Sequence, residues 1–173
     1  MIEIRVLTED DWALWRVLRL QALTEAAYAF GSQLADWQGE GDREERWRAR
    51  LALPGSYNLV ASVDGRAVGM VSGVRTDEVR AVELISMYVA PEGRGRGVGD
   101  LLVRRVAEWA DEAGAAELRL SVTEGNTKAR ELYERNGFHE TGELGDLMPD
   151  GLRREQVMAR RLTGSSSKSI SSN

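Results

Sequence analysis

A glycine- and arginine-rich loop between a strand and a helix constrains the fold of this chain more than any other feature. Residues 81–89 are rich in apolar and β-branched side chains and predict a strand. The loop occupies residues 91–99, and a helix ended by Gly114 follows, with an apolar stripe formed by Val98, Leu102, Val106, Trp109 and Ala113. Residues 117–122 predict a second strand. A strand, a helix and a strand in this order require a right-handed parallel crossover, so we expect a mixed sheet with helices packed on it.

The other elements are predicted from the same kinds of signal. Thr8 and Asp11 have the spacing that caps a helix, and Asp64-Gly65 predicts a two-residue hairpin turn. The expected elements are a strand over 2–6, helices over 9–26 and 42–53, strands over 57–63 and 67–75, a short helix from Asn126 to Arg135, and closing strands over 138–143 and 156–162. The order is therefore β-α-α-β-β-β-α-β-α-β-β, an α/β fold of mixed α+β type.

Composition excludes several kinds of site. The 173 residues fit one domain, expected over 1–163, followed by a serine-rich tail over 164–173 that we expect to be disordered. No cysteine is present, which excludes disulfides, cysteine-ligated zinc and a thiol nucleophile, and a single histidine excludes a multi-histidine metal cluster. We therefore expect no metal.

Charge and hydropathy bear on partners and location. The net charge is −5, from 23 basic and 28 acidic residues, which disfavours nucleic acid and favours a cationic partner. No apolar run has the length of a membrane span, and no secretory segment is recognised. We expect a cytoplasmic protein with no membrane contact.

The glycine-rich loop has the chemistry of an anion site. Glycines let backbone amides approach an anion, a helix N-terminus adds unpaired N–H donors, and Arg94 and Arg96 supply positive charge. A diphosphate is the natural ligand; the alternative is a plain turn with two solvated arginines. The loop has no lysine for a Walker motif, and Asp100 stands where a dinucleotide fingerprint needs its third glycine. The pattern Q/R-x-x-G-x-G/A does fit, at Arg94, Gly97 and Gly99.

A second motif lies downstream. Residues 126–138 match N-x-x-A-x-x-x-Y-x-x-x-G-F. With both motifs at this separation, the chain resembles the GNAT superfamily of N-acetyltransferases over roughly residues 2–162. The resemblance implies a central, mixed, mostly antiparallel and twisted β-sheet flanked by helices, and acetyl-coenzyme A as the cofactor.

The resemblance also implies how the coenzyme binds. Amides of the turn over residues 96–100 would hold the pyrophosphate, the backbone of strand residues 87–89 would pair with the pantetheine arm, and Asn126 would reach that arm or serve only as a helix cap. The expected cofactor-binding residues are Met87, Tyr88, Val89, Arg94, Gly95, Arg96, Gly97, Val98, Gly99, Asp100, Asn126 and Tyr133.

Two side chains are expected to be catalytic. By the resemblance, Tyr133 protonates the departing sulfur, and a backbone amide at Val89 or its neighbour stabilises the oxyanion. Without the motif, Tyr133 would be read as packing on the sheet. Glu83 is the candidate base. It lies eleven residues before Arg94, a spacing that resembles that of the catalytic glutamate of the superfamily's histone acetyltransferases. It is expected to share a face with Ile85 and Met87, where apolar neighbours would raise its pKa. Alternatives are a water chain as base, or a Glu83 that binds the cationic acceptor or faces solvent.

The acceptor site is expected where Tyr28, Phe30 and Trp37 accompany several acids, because aromatics and carboxylates suit a cationic amine. Those acids also suit a helix N-terminus.

The favoured function is acetylation of a small-molecule primary amine. One alternative is acetylation of a protein lysine or α-amine. Another is a non-catalytic acyl-coenzyme A sensor, which the presence of Tyr133 and Asn126 disfavours. The oligomeric state stays open, with a homodimer as one option.

Overall fold

The computed structural model describes residues 1–25, 34–78 and 80–163, and the expected element order is confirmed over them. The strands and helices are, in chain order, β1 Ile2–Val6, α1 Trp12–Glu25, α2 Glu44–Leu51, β2 Tyr57–Val63, β3 Arg66–Arg75, β4 Ala81–Val89, α3 Val98–Glu112, β5 Glu117–Thr123, α4 Thr127–Arg135, β6 His139–Leu147 and β7 Arg154–Arg161. The predicted tail over 164–173 lies outside the described residues. Within those residues, no helix is both long and apolar enough to cross a membrane.

The predicted signals at the turns act as expected. Asp64 and Gly65 both have positive φ, 51° and 80°, and close the hairpin between β2 and β3. The Asp11 carboxylate accepts the backbone N–H of Thr8 at 2.9 Å, but the first turn is a 3-10 turn and the α-helix begins at Trp12. β6 runs to Leu147, beyond the predicted end at residue 143.

The strands form one mixed sheet in the order β1-β2-β3-β4-β5-β7-β6. All neighbouring strands are antiparallel except β4 and β5, which are parallel. That parallel pairing extends only from Ala81↔Glu117 to Glu83↔Arg119, although both strands continue well beyond it. The two strands therefore separate over their second halves and leave a gap in the middle of the sheet.

A β-bulge in β4 changes which side chains face each way. Met70 of β3 pairs with Tyr88 and Ser72 pairs with Ile85, so Val71 alone faces two β4 residues, and Ser86 has a φ of 57°. The bulge places Met87 on the face of Leu84, opposite Glu83. The expectation that Met87 shares a face with Glu83 is wrong, because the extra residue reverses the alternation.

Helices cover both faces of the sheet. One core contains the apolar stripe of α3, with Leu102 and Val106 fully buried, and reaches Tyr133 and Phe138. The other lies under α1 and α2 and contains the buried Trp15 and Trp47. These two layers hold β4 from both sides and fix the edge of the gap.

Candidate active site

A cavity of about 740 Å³ occupies the gap between β4 and β5. It is lined by the second half of β4, the glycine-rich loop, the start of α3, residues 121–123 of β5 and the inner face of α4. All of the expected cofactor-binding residues line it except Arg96, which is exposed on the loop. The loop and α4, far apart in sequence, are brought together because α3 crosses from β4 to β5.

The glycine loop presents unpaired amides to this cavity. Gly97 has a φ of 81° and caps α3, whose first helical hydrogen bond runs from the Leu101 N–H to the Gly97 carbonyl. The N–H groups of residues 98–100 therefore have no partner within the helix. A Cβ built on Gly95 or Gly97 meets no atom within 4 Å, so both positions border open space. The loop thus fits an anionic group held by backbone amides.

The β4 backbone offers donors beside the loop. The Ala90 N–H donates to the Val68 carbonyl at 2.7 Å, so position 90 is bonded to β3. Hydrogen-bonded and non-bonded positions alternate in an antiparallel pair, so the N–H of Val89, and that of Met87 two residues earlier, point away from β3. These two amides face the gap, and no strand within the described residues pairs with them there.

Tyr133 is fixed by the way α4 ends. Gly137 has a φ of 90°, its N–H donates to the Glu134 carbonyl, and the Phe138 N–H donates to the Tyr133 carbonyl at 3.0 Å. This is a Schellman motif, and its usual apolar contact is made by the rings of Phe138 and Tyr133, with centroids 5.8 Å apart. The Gly-Phe pair therefore orients the tyrosine.

The Tyr133 side chain combines burial with a hydroxyl group that is not committed elsewhere. The residue is 6% exposed and lines the cavity, and its hydroxyl has no hydrogen-bond partner among the described residues. Burial raises the pKa of Tyr133, because the phenolate would be desolvated. The side chain is therefore protonated at neutral pH and can act as a proton donor. It both packs in the core and lines the cavity, so the two readings of the sequence are compatible.

Asn126 caps α4 and also lines the larger cavity. Its side-chain oxygen accepts the Ala129 N–H at 3.4 Å as the cap of α4, and the residue lines the cavity.

Glu83 lies in a second, smaller cavity of about 270 Å³. Four carboxylates line this space, from Asp77, Glu78, Glu83 and Glu143, together with Arg119, which is paired with Glu78 and Glu117. Burial and the charge of Asp146 raise the pKa of Glu83. Ser121 lines both cavities, so the two spaces border the same residue of β5.

Two of the expected cofactor-binding side chains have partners that the sequence did not predict. Arg94 forms an ion pair with Glu25, and its Nε donates to the Val89 carbonyl at 3.1 Å. The Asp100 carboxylate accepts two hydrogen bonds from Arg135, at 2.8 and 2.9 Å, and these lower its pKa. Asp100 therefore joins the start of α3 to the end of α4.

Trp37 is the one expected acceptor aromatic within the described residues, and it lines neither cavity. Trp37 packs against Trp47, with ring centroids 4.4 Å apart, and the Arg46 guanidinium lies 3.7 Å from its ring. Tyr28 and Phe30 lie outside the described residues. The role of these three side chains in acceptor binding stays a prediction.

Several lining residues were not identified from the sequence, among them Glu25, Ser86, Ser121 and Lys128. Ser121 carried a usable signal, because it alternates with the apolar residues of β5 and so faces the other side of the sheet. Glu25 gave none, since its partner Arg94 is 69 residues away.

Comparison with known proteins agrees with this architecture. The family model described as the acetyltransferase (GNAT) family matches residues 17–138. The chain belongs to that family. This GNAT chain is 32% identical over 115 residues to an uncharacterized N-acetyltransferase of Bacillus subtilis, a match covering 64% of the chain and 75% of that relative. The expectation that the chain belongs to the GNAT superfamily is confirmed.

A second relative and a solved structure show how far the similarity extends. The GNAT chain is 38% identical over 89 residues to the N-acetylaspartate synthetase of Rattus norvegicus, covering 51% of the chain but only 30% of that protein. Its fold matches the PaiA N-acetyltransferase of Thermoplasma acidophilum in complex with coenzyme A, with a TM-score of 0.68 and 20% identity, covering 93% of the chain and 99% of that structure. This last match shows the fold alone.

Proposed function

We propose that the chain transfers an acetyl group from acetyl-coenzyme A to the primary amine of a small cationic molecule, by direct attack in a ternary complex. The observation that carries this proposal is that two chemically different cavities both border Ser121. One is lined by unpaired amides and a glycine loop, and the other by carboxylates.

The larger cavity suits coenzyme A. Its loop end offers the amides of residues 98–100 to a diphosphate at a helix N-terminus. Its strand end offers the amides of Met87 and Val89, which can pair with an extended amide-containing arm as a neighbouring strand would. The fold match to an N-acetyltransferase that was solved in complex with coenzyme A supports this part of the proposal.

The smaller cavity suits a cationic acceptor. Its lining has four carboxylates and one arginine, and that arginine is already paired. An alkylammonium group would be attracted there by charge. A small acceptor is favoured over a folded protein, because the space measures only about 270 Å³.

The residues divide the chemistry between them. Acetyl-coenzyme A supplies an activated acetyl group as a thioester. The N–H of Met87 or Val89 donates to the carbonyl oxygen as negative charge develops on it, which lowers the barrier because the donor is already oriented. Tyr133 gives its phenolic proton to the departing sulfur, since its raised pKa keeps that proton in place at neutral pH.

Glu83 removes the proton that the acceptor must lose. Its pKa is raised by burial and by Asp146, which makes it a stronger base than an exposed glutamate. It lines the carboxylate cavity but not the larger one, so it acts on the acceptor side, directly or through water.

The test is release of free thiol from acetyl-coenzyme A in the presence of an amine panel. The panel contains diamines and polyamines, neutral and acidic amino acids, lysine peptides and peptides with free α-amines. We expect turnover with small cationic amines, and acetylated product by mass spectrometry. The matched control is Tyr133→Phe, which keeps the ring in the core.

Each other outcome of this assay indicates a different function for the chain. Turnover confined to peptides indicates a protein acetyltransferase. Coenzyme A binding without turnover on any amine indicates a sensor. Turnover that favours acidic amines contradicts the assignment of the carboxylate cavity to the acceptor.

A further inference from the structure

A hydrogen-bonded chain connects the end of α1 to the strand and the loop of the proposed coenzyme site. Glu25, the last residue of α1, uses its two carboxylate oxygens separately. Oε2 accepts the Tyr88 hydroxyl at 2.5 Å, and Oε1 accepts Nη2 of Arg94. The Tyr88 hydroxyl in turn accepts Nε2 of Gln21 at 3.2 Å.

This chain acts where the β4 amides must be placed. Tyr88 stands between Met87 and Val89, and its ring is 5% exposed in the core under α1 and α2. Burial and the hydrogen bond to Glu25 raise the pKa of Tyr88 to about 12, so the hydroxyl remains a donor. Arg94 closes the connection, because its Nε holds the Val89 carbonyl at 3.1 Å.

The position of Glu25 is unfavourable for an anion site unless it has another role. It lines the larger cavity, where its negative charge opposes a diphosphate. It also engages Arg94, the side chain that the sequence motif suggested for phosphate binding. Through its charge alone, the Glu25 carboxylate weakens the binding of an anionic ligand. Any favourable effect on that binding must therefore come from the positions of the residues to which it is hydrogen-bonded.

We propose that Glu25 is a positioning residue for the coenzyme site: through Tyr88 and Arg94 it fixes the strand segment 87–89 and the start of the glycine loop. Arg94 then serves as an anchor between α1 and the Val89 carbonyl and not as a phosphate ligand. The proposal rests on the proposed function, because it takes coenzyme A as the ligand of the larger cavity.

The sign of one substitution separates this role from simple electrostatics. If charge alone matters, Glu25→Ala removes a repulsive carboxylate and frees Arg94, so coenzyme A binds more tightly. If Glu25 positions the site, the same change weakens coenzyme A binding by about three- to tenfold, the size expected for losing partly exposed charge-assisted hydrogen bonds. Calorimetric titration with coenzyme A measures the affinity.

A double-mutant cycle tests the anchor. We expect Arg94→Ala to weaken binding about as much as Glu25→Ala, and the double variant to bind no more weakly than either single variant, because both break one connection. Effects that multiply would show that Arg94 contacts the phosphate independently and would overturn the proposal. Tighter binding by Glu25→Ala would overturn it as well.

Two further readouts exclude a general loss of stability. Glu25→Ala should raise the KM for acetyl-coenzyme A by about three- to tenfold. Glu25→Gln keeps one acceptor oxygen and can donate its amide N–H to the Tyr88 hydroxyl, so it should restore part of the affinity. Glu44→Ala is the control, since it breaks an exposed pair with Arg48 on α2. If the unmodified chain binds no coenzyme A, the proposed function fails; if it binds and Glu25→Ala binds equally well, only the positioning role fails.

Discussion

Replacing Gly97 by alanine should separate coenzyme binding from folding. Gly97 has a φ of 81°, a conformation that costs an alanine about 1–2 kcal/mol. For a domain of this size, that cost lowers Tm by roughly 2–8 °C. The added methyl meets no protein atom within 4 Å, so the domain should remain folded. Because Gly97 caps α3 and lines the larger cavity, we expect the methyl group to crowd a diphosphate held by the α3 amides.

The binding loss can be estimated from those amides. A hydrogen bond to a charged group contributes about 1.5–3 kcal/mol, so losing one contact corresponds to a loss of roughly ten- to a hundred-and-sixtyfold in affinity. Calorimetric titration with coenzyme A gives the affinity, and thermal unfolding gives Tm for the same samples.

Gly65 provides a matched control. It has a φ of 80°, and a Cβ there also meets no atom within 4 Å, but it lies in the β2–β3 turn away from both cavities. Gly65→Ala should lose a similar amount of stability and keep full coenzyme affinity. Equal affinities for the two variants would refute the assignment of the loop.

Three further substitutions test other parts of the site. Tyr133→Phe should leave coenzyme affinity unchanged and lower kcat by about ten- to a thousandfold in the thiol-release assay, because only the proton donor is lost; unchanged kcat with chemistry rate-limiting would make Tyr133 structural. Glu83→Gln should slow turnover at neutral pH and approach the original rate as pH rises, because more acceptor arrives already neutral; identical pH–rate profiles would remove Glu83 from the mechanism. Asp100→Asn should lower Tm by about 2–4 °C at pH 7, since it breaks the contact with Arg135. The folded-state pKa of Asp100 is lowered, so its stabilisation is present above about pH 4 and is lost as pH falls through that pKa; a Tm difference that persists under acid would contradict this.

Local signals predicted most of the fold correctly. Asp64-Gly65 closes its hairpin, Gly114 ends α3, and Asn126 caps α4, because each depends on backbone preferences of a few adjacent residues. The β-bulge at Ser86 could not be predicted in this way. It depends on how β4 pairs with β3, and a one-residue shift moves Met87 to the opposite face from Glu83.

In the candidate site, backbone positions were predicted better than contacts between side chains, for a related reason. Positions defined by the backbone, such as Gly97 and Val89, line the expected cavity. Side-chain contacts between distant segments were missed, as with Arg94 and Glu25, because an ion pair between residues 69 apart leaves no pattern in the sequence. The expected role of Arg94 in coenzyme binding stays a prediction, and the loop that contains it lines the larger cavity.

The short parallel pairing of β4 and β5 also has a consequence for how the domain holds together. Within the described residues, the pairing of β4 with β5 joins the strands β1–β4 to the strands β5, β7 and β6 through three residue pairs, with α3 packed across both groups. Backbone hydrogen bonds therefore link the two groups at one end only, and the shared core under α3 holds the rest together. A ligand lying along the open part of the gap adds contacts to both groups. Its binding therefore stabilises their native alignment by mass action.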